Sequence, residues 1–591
     1  MGGAYPRPVP DPTNAQIALA LDELGDLYEL DGAIVHRVVA YRNAARAIRE
    51  ASQSVAALAR EGRATELPGI GKTLQEKVQA LVETGDIPAA TKLRAKFPAG
   101  LLAVTRLPGL GPKRARVLYD ELGIDSLEAL RAAAEGERLR EVRGFGAKAE
   151  ENVLAGIAAA EAGEGAEERV VLSRALAVAE PLVAALRDHP AADRVEIAGS
   201  LRRRTDSVKD IDLIATAHDP RALARAAAEL PTVAGASGVG EAGARLTTYT
   251  GMKVDLRIVA PQQFGNLLQH FTGSKQHNEA LRRAAVRRGR HVSEYGILDD
   301  SDGKTRTCAT EEEVYALLGL DYIEPELREN RGELEAAAEG RLPDLVEAVD
   351  VRGELHSHTV ASDGRSTIEE MAAAARERGR SYLCITDHSA SMGFGSDVAP
   401  GELERQIERV RELDGSIEGL DLLIGSEVNI APDGSLDYDD DLLARLDWVI
   451  ASVHTSFRLP ADAQTERIVA ACEHPWVDCI GHLTGRKIER RPPYALDVEG
   501  VIEAAARTGT MLEINSSPDR RDLNDLHARA AAAAGVPIVV NTDAHRPSDF
   551  DYLRFGVATA RRAWLTRRDV ANTRTWKQFA RLRKRARAAA R

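Results

Sequence analysis

Apolar positions change their spacing along the chain. Between residues 13 and 160 they recur every three or four positions, as in Ile17, Leu21, Leu24 and Leu27, which predicts successive helices broken at glycines. From about 168 to 260 the runs RVEIAGS, KDIDLIATA, ARLTTYTG and MKVDLRIVA predict strands mixed with helices. Residues 261–325 are mixed again. The acidic, polar stretch 326–350 reads as a connector. Beyond 351, short apolar runs (YLCITDH, DLLIGSEV, WVIASVH, MLEINS, PIVVNTDAH) alternate with helical stretches, the pattern of a parallel sheet or barrel.

The expected class is multidomain: all-α N-terminal regions at 1–93 and 94–165, α+β regions at 166–260 and 261–325, a connector at 326–350, an α/β distorted barrel at 351–575 and a basic tail at 576–591. The 591 residues suffice for several cores. A hydrophobic content of 44% with 29% charged residues excludes wholesale disorder. No run approaches the ~20 apolar residues of a membrane helix. MGGAYPRPVPDP lacks a signal-peptide pattern, and the four cysteines form no CxxC pair, so the cytoplasm is the expected compartment. The net charge of −13 conceals a basic end. The last thirty-one residues hold twelve Lys or Arg against one Asp, either a solubilising tail or a phosphate-contacting arm.

One phrase occurs three times in the helical region: LPGIGKTL, LPGLGPKRA and VRGFGAKAE. Each is Gly-x-Gly followed by a basic residue that opens a helix: Gly69, Gly71 and Lys72; Gly109, Gly111 and Lys113; Gly144, Gly146 and Lys148. Glycine permits the tight turn, and the amides beyond it suit phosphate. The three copies resemble helix-hairpin-helix motifs, which grip DNA backbone without reading sequence. That resemblance also implies a monovalent cation at the hairpins.

The segment EIAGSLRRRTDSVKDIDLIATA carries the sharpest chemistry of the first half. Asp210 and Asp212 lie at i and i+2 of a strand and face one way, with Asp255 on a later strand. Three convergent carboxylates can hold two divalent cations for in-line phosphoryl displacement. Gly199, Ser200 and Arg203 offer amides, a hydroxyl and a guanidinium to a triphosphate. These residues resemble family X DNA polymerases, the group of DNA polymerase beta, which makes 166–260 a nucleotidyltransferase palm and 261–325 a thumb. The family's phrase after the palm is similar to His270-Phe271-Thr272-Gly273-Ser274. The resemblance gives Phe271, Gly273, Asn278 and Arg282 to the nucleotide, and magnesium and deoxynucleoside triphosphates to the site. His270 and Glu279 depart from the family pattern. Residues 1–93 resemble the family's lyase domain through His36, Tyr41 and Arg42. Lys77 falls where the family has its Schiff-base lysine, while Thr73 replaces a neighbouring lysine.

After residue 350, histidines and carboxylates stand at the ends of apolar runs, His356, His358, His388, Glu427, His454, His482, Asp543 and His545, with Asp363 in the loop after the first. Such groups at successive strand ends suit a barrel active site with catalytic metal. The region resembles the PHP (polymerase and histidinol phosphatase) family, whose metal ligands map to these nine positions. That implies three ions, manganese or zinc, and a phosphoesterase. Asp387 is expected to orient a ligand histidine, and Glu513 and Asn515 to line the site. The combined order resembles bacterial family X polymerases with a PHP domain. It implies a monomer acting on gapped or nicked DNA in base excision repair, with a 3'-5' exonuclease and cleavage at abasic sites. The alternatives are a nuclease whose first half only clamps DNA, a non-catalytic scaffold, and a small-molecule phosphatase.

Overall fold

The computed structural model describes residues 11–51, 53–107, 109–161, 169–391 and 397–589. The N-terminal segment, the expected 165/166 boundary and the last two residues of the basic tail lie outside the described residues. The chain forms two compact units, one of residues 1–170, 174–197 and 209–261, the other of 171–173, 198–208 and 262–591. No helix among the described residues is long and apolar enough to cross a membrane.

In the first unit one local design recurs. A helix ends, a turn passes through Gly-x-Gly, and a new helix opens at Lys72–Thr84, Pro112–Leu122 or Ala147–Glu161. The first glycines, Gly69, Gly109 and Gly144, have φ of +81°, +80° and +92°, which side chains rarely adopt. Ile17, Leu21, Leu24 and Val78 share one apolar core, and Leu101, Leu118, Leu139 and Phe145 another. The same unit holds the sheet β1 (Ala192–Ile197), β2 (Asp210–Ala217), β3 (Val233–Gly240), β4 (Gly243–Thr248) and β5 (Lys253–Ile258), in spatial order β1-β2-β5-β4-β3. Only β2 and β5 pair in parallel within it.

The second unit contains helices Phe264–Thr272 and Lys275–Val286 and a small antiparallel sheet of β6 (Arg290–Ser293), β7 (Gly296–Asp299) and β8 (Lys304–Arg306). Residues 326–350 are not a free connector. Leu327, Leu334, Ala337 and Leu345 share a core with Leu281, Ile297 and Tyr315. Glu333 is 0% exposed, its carboxylate 2.6 Å from His277 Nδ1. The acidity that suggested a linker in fact partners basic groups elsewhere, a pairing polarity alone does not reveal.

The barrel is a parallel sheet of β9 (Gly353–Glu354), β10 (Tyr382–Ile385), β11 (Asp421–Asn429), β12 (Trp448–Ser452), β13 (Cys479–Ile480), β14 (Met511–Asn515) and β15 (Ile538–Asn541), neighbouring in sequence order. Beyond the edge strands the chain pairs again in parallel, Ser357 with Ala544, and closes the ring. Asn572 staples the seam, its Nδ2 donating to Gly353 O at 2.9 Å and Val540 O at 2.8 Å. The two-residue period divides the strands. Leu383, Leu422, Val449, Leu512 and Ile538 face the helices. Tyr382, Leu423, Trp448, Cys479, Met511 and Val539 fill the inside near the strand starts.

The basic tail completes that floor. Phe579, 0% exposed, joins the interior core, with ring centroids 5.4 Å from Trp448 and 6.0 Å from Tyr382. Arg585 pairs with buried Asp478, Arg583 donates to Asp447 O, and Lys584 Nζ donates to Cys472 O at 2.8 Å. The described part of the tail is therefore a component of the barrel. The expected 575/576 boundary cuts through it.

Candidate functional site

The inward parity that sets Leu423, Ile450, Met511 and Val539 inside the barrel brings Glu427 and Glu513 to its axis further along their strands, and His454 and Asp543 just past the ends of theirs. There all nine residues singled out from the sequence join one network. Three groups have donor atoms within 4.8 Å of one another: His358, Asp363, His388 and His545; His356, His358 and Asp543; His388, Glu427 and His454. Glu427 is 1% exposed, with imidazole nitrogens of His482 at 2.8 Å, His388 at 2.9 Å, His356 and His454 at 3.3 Å and His358 at 3.6 Å. Among the described residues neither of its oxygens, nor either ring nitrogen of buried His358, has a partner in good hydrogen-bond geometry. A buried carboxylate ringed by imidazoles whose polar atoms are otherwise unspent fits divalent metal.

The charges are mutually stabilised. Burial opposes the ionised form of Glu427, but His454, His356 and His388 hold its carboxyl well below the usual range. Burial likewise opposes protonation of His356, yet Glu513, Asp543 and Glu427 raise it well above an ordinary imidazole. His358 is pushed down to about 4 by burial and by its neighbours His545 and His388.

Supporting groups fix these side chains. Glu513 Oε1 lies 2.7 Å from His356 Nδ1, leaving Nε2 toward the centre. Asn515 Nδ2 donates to Asp543 Oδ2 at 3.0 Å. Asp387 does not orient a ligand histidine. Its carboxylate accepts from Thr359 N at 2.7 Å, Ser362 Oγ at 2.5 Å and Gln406 Nε2 at 2.5 Å, and so holds the loop before Asp363. Arg520, which sequence reasoning missed, has its Nε 3.8 Å from Asp543 Oδ2. Its proximity comes from the fold, with no local signal.

In the first unit, β2 and β5 set Asp212 directly beside Asp255, and Asp210 beside Lys253. Ile211 and Leu213 are 0% exposed, while Asp210 and Asp212 between and before them are half-buried, as alternation requires. Asp255 Oδ2 is held by Arg257 at 3.0 Å. Among the described residues the groups converging within 4.8 Å all belong to the barrel, and the three aspartates do not form such a group. Each second hairpin glycine, Gly71, Gly111 or Gly146, faces open space where a Cβ would stand, and Lys72, Lys113 and Lys148 are exposed. Backbone there is open to a close external approach. Lys77 is half-buried on the helix Lys72–Thr84. Tyr41 is a core residue stacked on Tyr28 at 5.3 Å, and Arg42 pairs with Asp26 and Glu29; His36 is exposed.

In the second unit, Arg203 Nη1 donates to Thr272 O at 2.9 Å and its Nε to Glu329 at 3.0 Å. Asn278 Nδ2 donates to His270 O at 2.7 Å and Gly273 O at 3.2 Å, and Arg282 lies 3.1 Å from His270 Nδ1. Gly273 is required, because a Cβ there would stand 2.5 Å from the Asn278 side chain. Gly199 has φ +65°, and Phe271 and Ser200 are half-buried.

The chain matches the family models described as a helix-hairpin-helix domain over 12–87, a SAM-like helix-hairpin-helix tandem over 101–159, the DNA polymerase beta thumb over 267–329 and the PHP domain over 354–517. It is similar to the DNA polymerase/3'-5' exonuclease PolX of Bacillus subtilis, 36% identical over 559 residues, covering 94% of this chain and 97% of that protein. Its C-terminal part is similar to shorter proteins described as "Probable phosphatase". That of Thermoanaerobacter sp. is 34% identical over 230 residues, 37% of this chain and 89% of that protein. That of Shewanella oneidensis is 33% identical over 200 residues, 32% of this chain and 75% of that protein.

Proposed function

The chain belongs to the PolX family, family X DNA polymerases that carry a PHP domain, and from that membership we infer a DNA-directed DNA polymerase with a 3'-5' exonuclease. We assign the exonuclease to the barrel. The observation that carries this is buried Glu427, faced by imidazole nitrogens of five histidines at 2.8 to 3.6 Å. Divalent ions, manganese or zinc and up to three, would be held by His356, His358, Asp363, His388, Glu427, His454, His482, Asp543 and His545. When bound they supply Lewis acidity and an activated water for phosphodiester hydrolysis. Glu513 and Asn515 orient His356 and Asp543, and Asp387 keeps the Asp363 loop in place.

For synthesis, Asp210, Asp212 and Asp255 hold magnesium, and Gly199, Ser200, Arg203, Phe271, Gly273, Asn278 and Arg282 serve the deoxynucleoside triphosphate. The hairpin glycines and lysines take DNA backbone, and the substrate is gapped or nicked duplex, as in base excision repair. Lys77 as a 5'-deoxyribose-phosphate lyase, cleavage at abasic sites, a monomeric state and a cytoplasmic location complete the proposal.

The test is a gapped, 3'-labelled duplex with magnesium or manganese, with and without nucleotides. Asp210→Ala or Asp212→Ala should abolish extension and spare 3' degradation, while His356→Ala with His358→Ala should do the converse. Retention of manganese-dependent degradation by the folded histidine variant would move the nuclease out of the barrel.

A further inference from the structure

Residues 198–208 join β1 to β2 in the chain, but they belong to the second unit. They begin with the Gly199-Ser200 turn and continue through Arg203. Three consecutive backbone carbonyls beyond that turn are taken by arginines from the PHP half of the sequence. Arg562 Nη1 donates to Arg203 O at 2.8 Å. Arg521 donates through Nη2 to Arg204 O and through Nη1 to Thr205 O, both at 3.0 Å. The Asp206 carboxylate then receives Arg486 at 2.7 Å and Arg521 at 3.2 Å.

This clamp is built into the barrel. Arg521 is 0% exposed, and its Nε donates to Thr559 Oγ1 at 2.9 Å. A buried guanidinium leaves no donor without a partner unless it costs stability, and its rigid fork spans two adjacent carbonyls as an ammonium cannot. The clamped segment is under strain, since Arg204 has φ +58°. A non-glycine residue persists there only when its surroundings over-determine it. The clamp also reaches Arg203 itself. Glu329 Oε1 accepts from Arg203 Nε at 3.0 Å and from Arg562 Nη1 at 2.9 Å, so one carboxylate sets both guanidinium groups.

We propose that Arg486, Arg521 and Arg562 are positioning residues for nucleotidyl transfer: the barrel holds the triphosphate turn and Arg203 in their binding conformation, and so helps set the polymerase's affinity for nucleotide. This rests on the reading that Gly199, Ser200 and Arg203 take the triphosphate. The effect requires no communication with the nuclease metals. It requires only that the segment have one shape when clamped and several when released.

The test is steady-state extension of a one-nucleotide gap by the full chain, with the active fraction taken from the burst amplitude. Arg521→Met, Arg562→Met and Asp206→Asn should each raise the nucleotide KM about tenfold with kcat changed less than threefold. Arg521→Lys should not restore it. Misfolding lowers burst amplitude and leaves KM unmoved. If Arg521→Met fails to fold, Arg562→Met and the more exposed Asp206→Asn decide. Ser200→Ala separates the two ways of failing. A raised KM in Ser200→Ala, with KM unchanged in the clamp variants, overturns the positioning role alone. An unchanged KM in Ser200→Ala as well overturns the assignment of the turn to the triphosphate, and the proposal with it.

Discussion

Replacing Phe579 by alanine separates the two uses the sequence allowed for the tail from the one the structure shows. The ring is 0% exposed and meets Trp448 at 5.4 Å, Trp576 at 5.9 Å and Tyr382 at 6.0 Å between centroids. Burying such a side chain is worth about 1.5–3 kcal/mol by transfer. Each aromatic pairing adds roughly 0.5–1.5 kcal/mol. The cavity left under a closed barrel cannot collapse freely, so the expected loss is about 3–5 kcal/mol. All four tryptophans, Trp448, Trp476, Trp564 and Trp576, belong to the second unit, so tryptophan fluorescence in urea reads its unfolding alone. With a slope of about 3 kcal/mol/M the midpoint should fall by roughly 1–1.7 M. A companion variant, Arg585→Met, should leave the salt dependence of DNA binding unchanged, because that guanidinium is committed to Asp478. A phosphate contact would instead cost about 0.7–0.9 in the slope of log affinity against log salt. A midpoint shift below about 0.3 M at unchanged slope, or a flattened salt dependence, would refute the floor reading.

Three further outcomes are expected. Gly71→Ala places a Cβ in open space at φ −86°, so stability should move by less than about 0.5 kcal/mol while gapped-duplex affinity, read by anisotropy, falls alike for every sequence. Glu427→Gln removes the charge shared by five imidazoles, so metal bound per chain, measured by elemental analysis, should drop and exonuclease collapse while extension continues. Glu311 is buried, which opposes ionisation, but Arg328 and Arg202 hold it at about 2, below its unfolded value. Its contribution, at most about 3 kcal/mol, is present above pH ~4.5 and lost as pH falls toward 2, so Glu311→Gln should flatten that part of the acid limb in pH-dependent melts.

The strand and helix periods were legible because each follows from local burial. The Asp210-Ile211-Asp212 alternation and the hairpin glycines needed no knowledge of partners. The histidine cluster was legible for a related reason, since the ends of parallel strands gather at one end of a barrel. What could not be seen were pairings between distant segments. The acidic stretch 326–350 looked solvated because His277, Arg203 and Arg561, its partners, lie far off in sequence. The tail looked free because Asp478 and the floor aromatics come from separate strands. Arg486, Arg521 and Arg562 were lost among many arginines. Asp387 was misjudged because adjacency to His388 suggested a shared task, whereas its carboxylate turns to the preceding loop.

The seam of the ring has a consequence for the order in which the nascent chain can fold. The Leu355 amide just past β9 waits for Asn541, 186 residues later, and the Gly353 carbonyl of β9 for the Asn572 staple, 219 residues later. The hairpins close within a few tens of residues and can settle while synthesis continues. Until its last strand and staple emerge, the barrel is an open sheet with a bare edge on each side, the form most prone to pair with a neighbour. A ribosome that stalls or terminates within the final segment therefore leaves the hairpins formed and the sheet unclosed, and quality control would meet the protein as a half-finished ring.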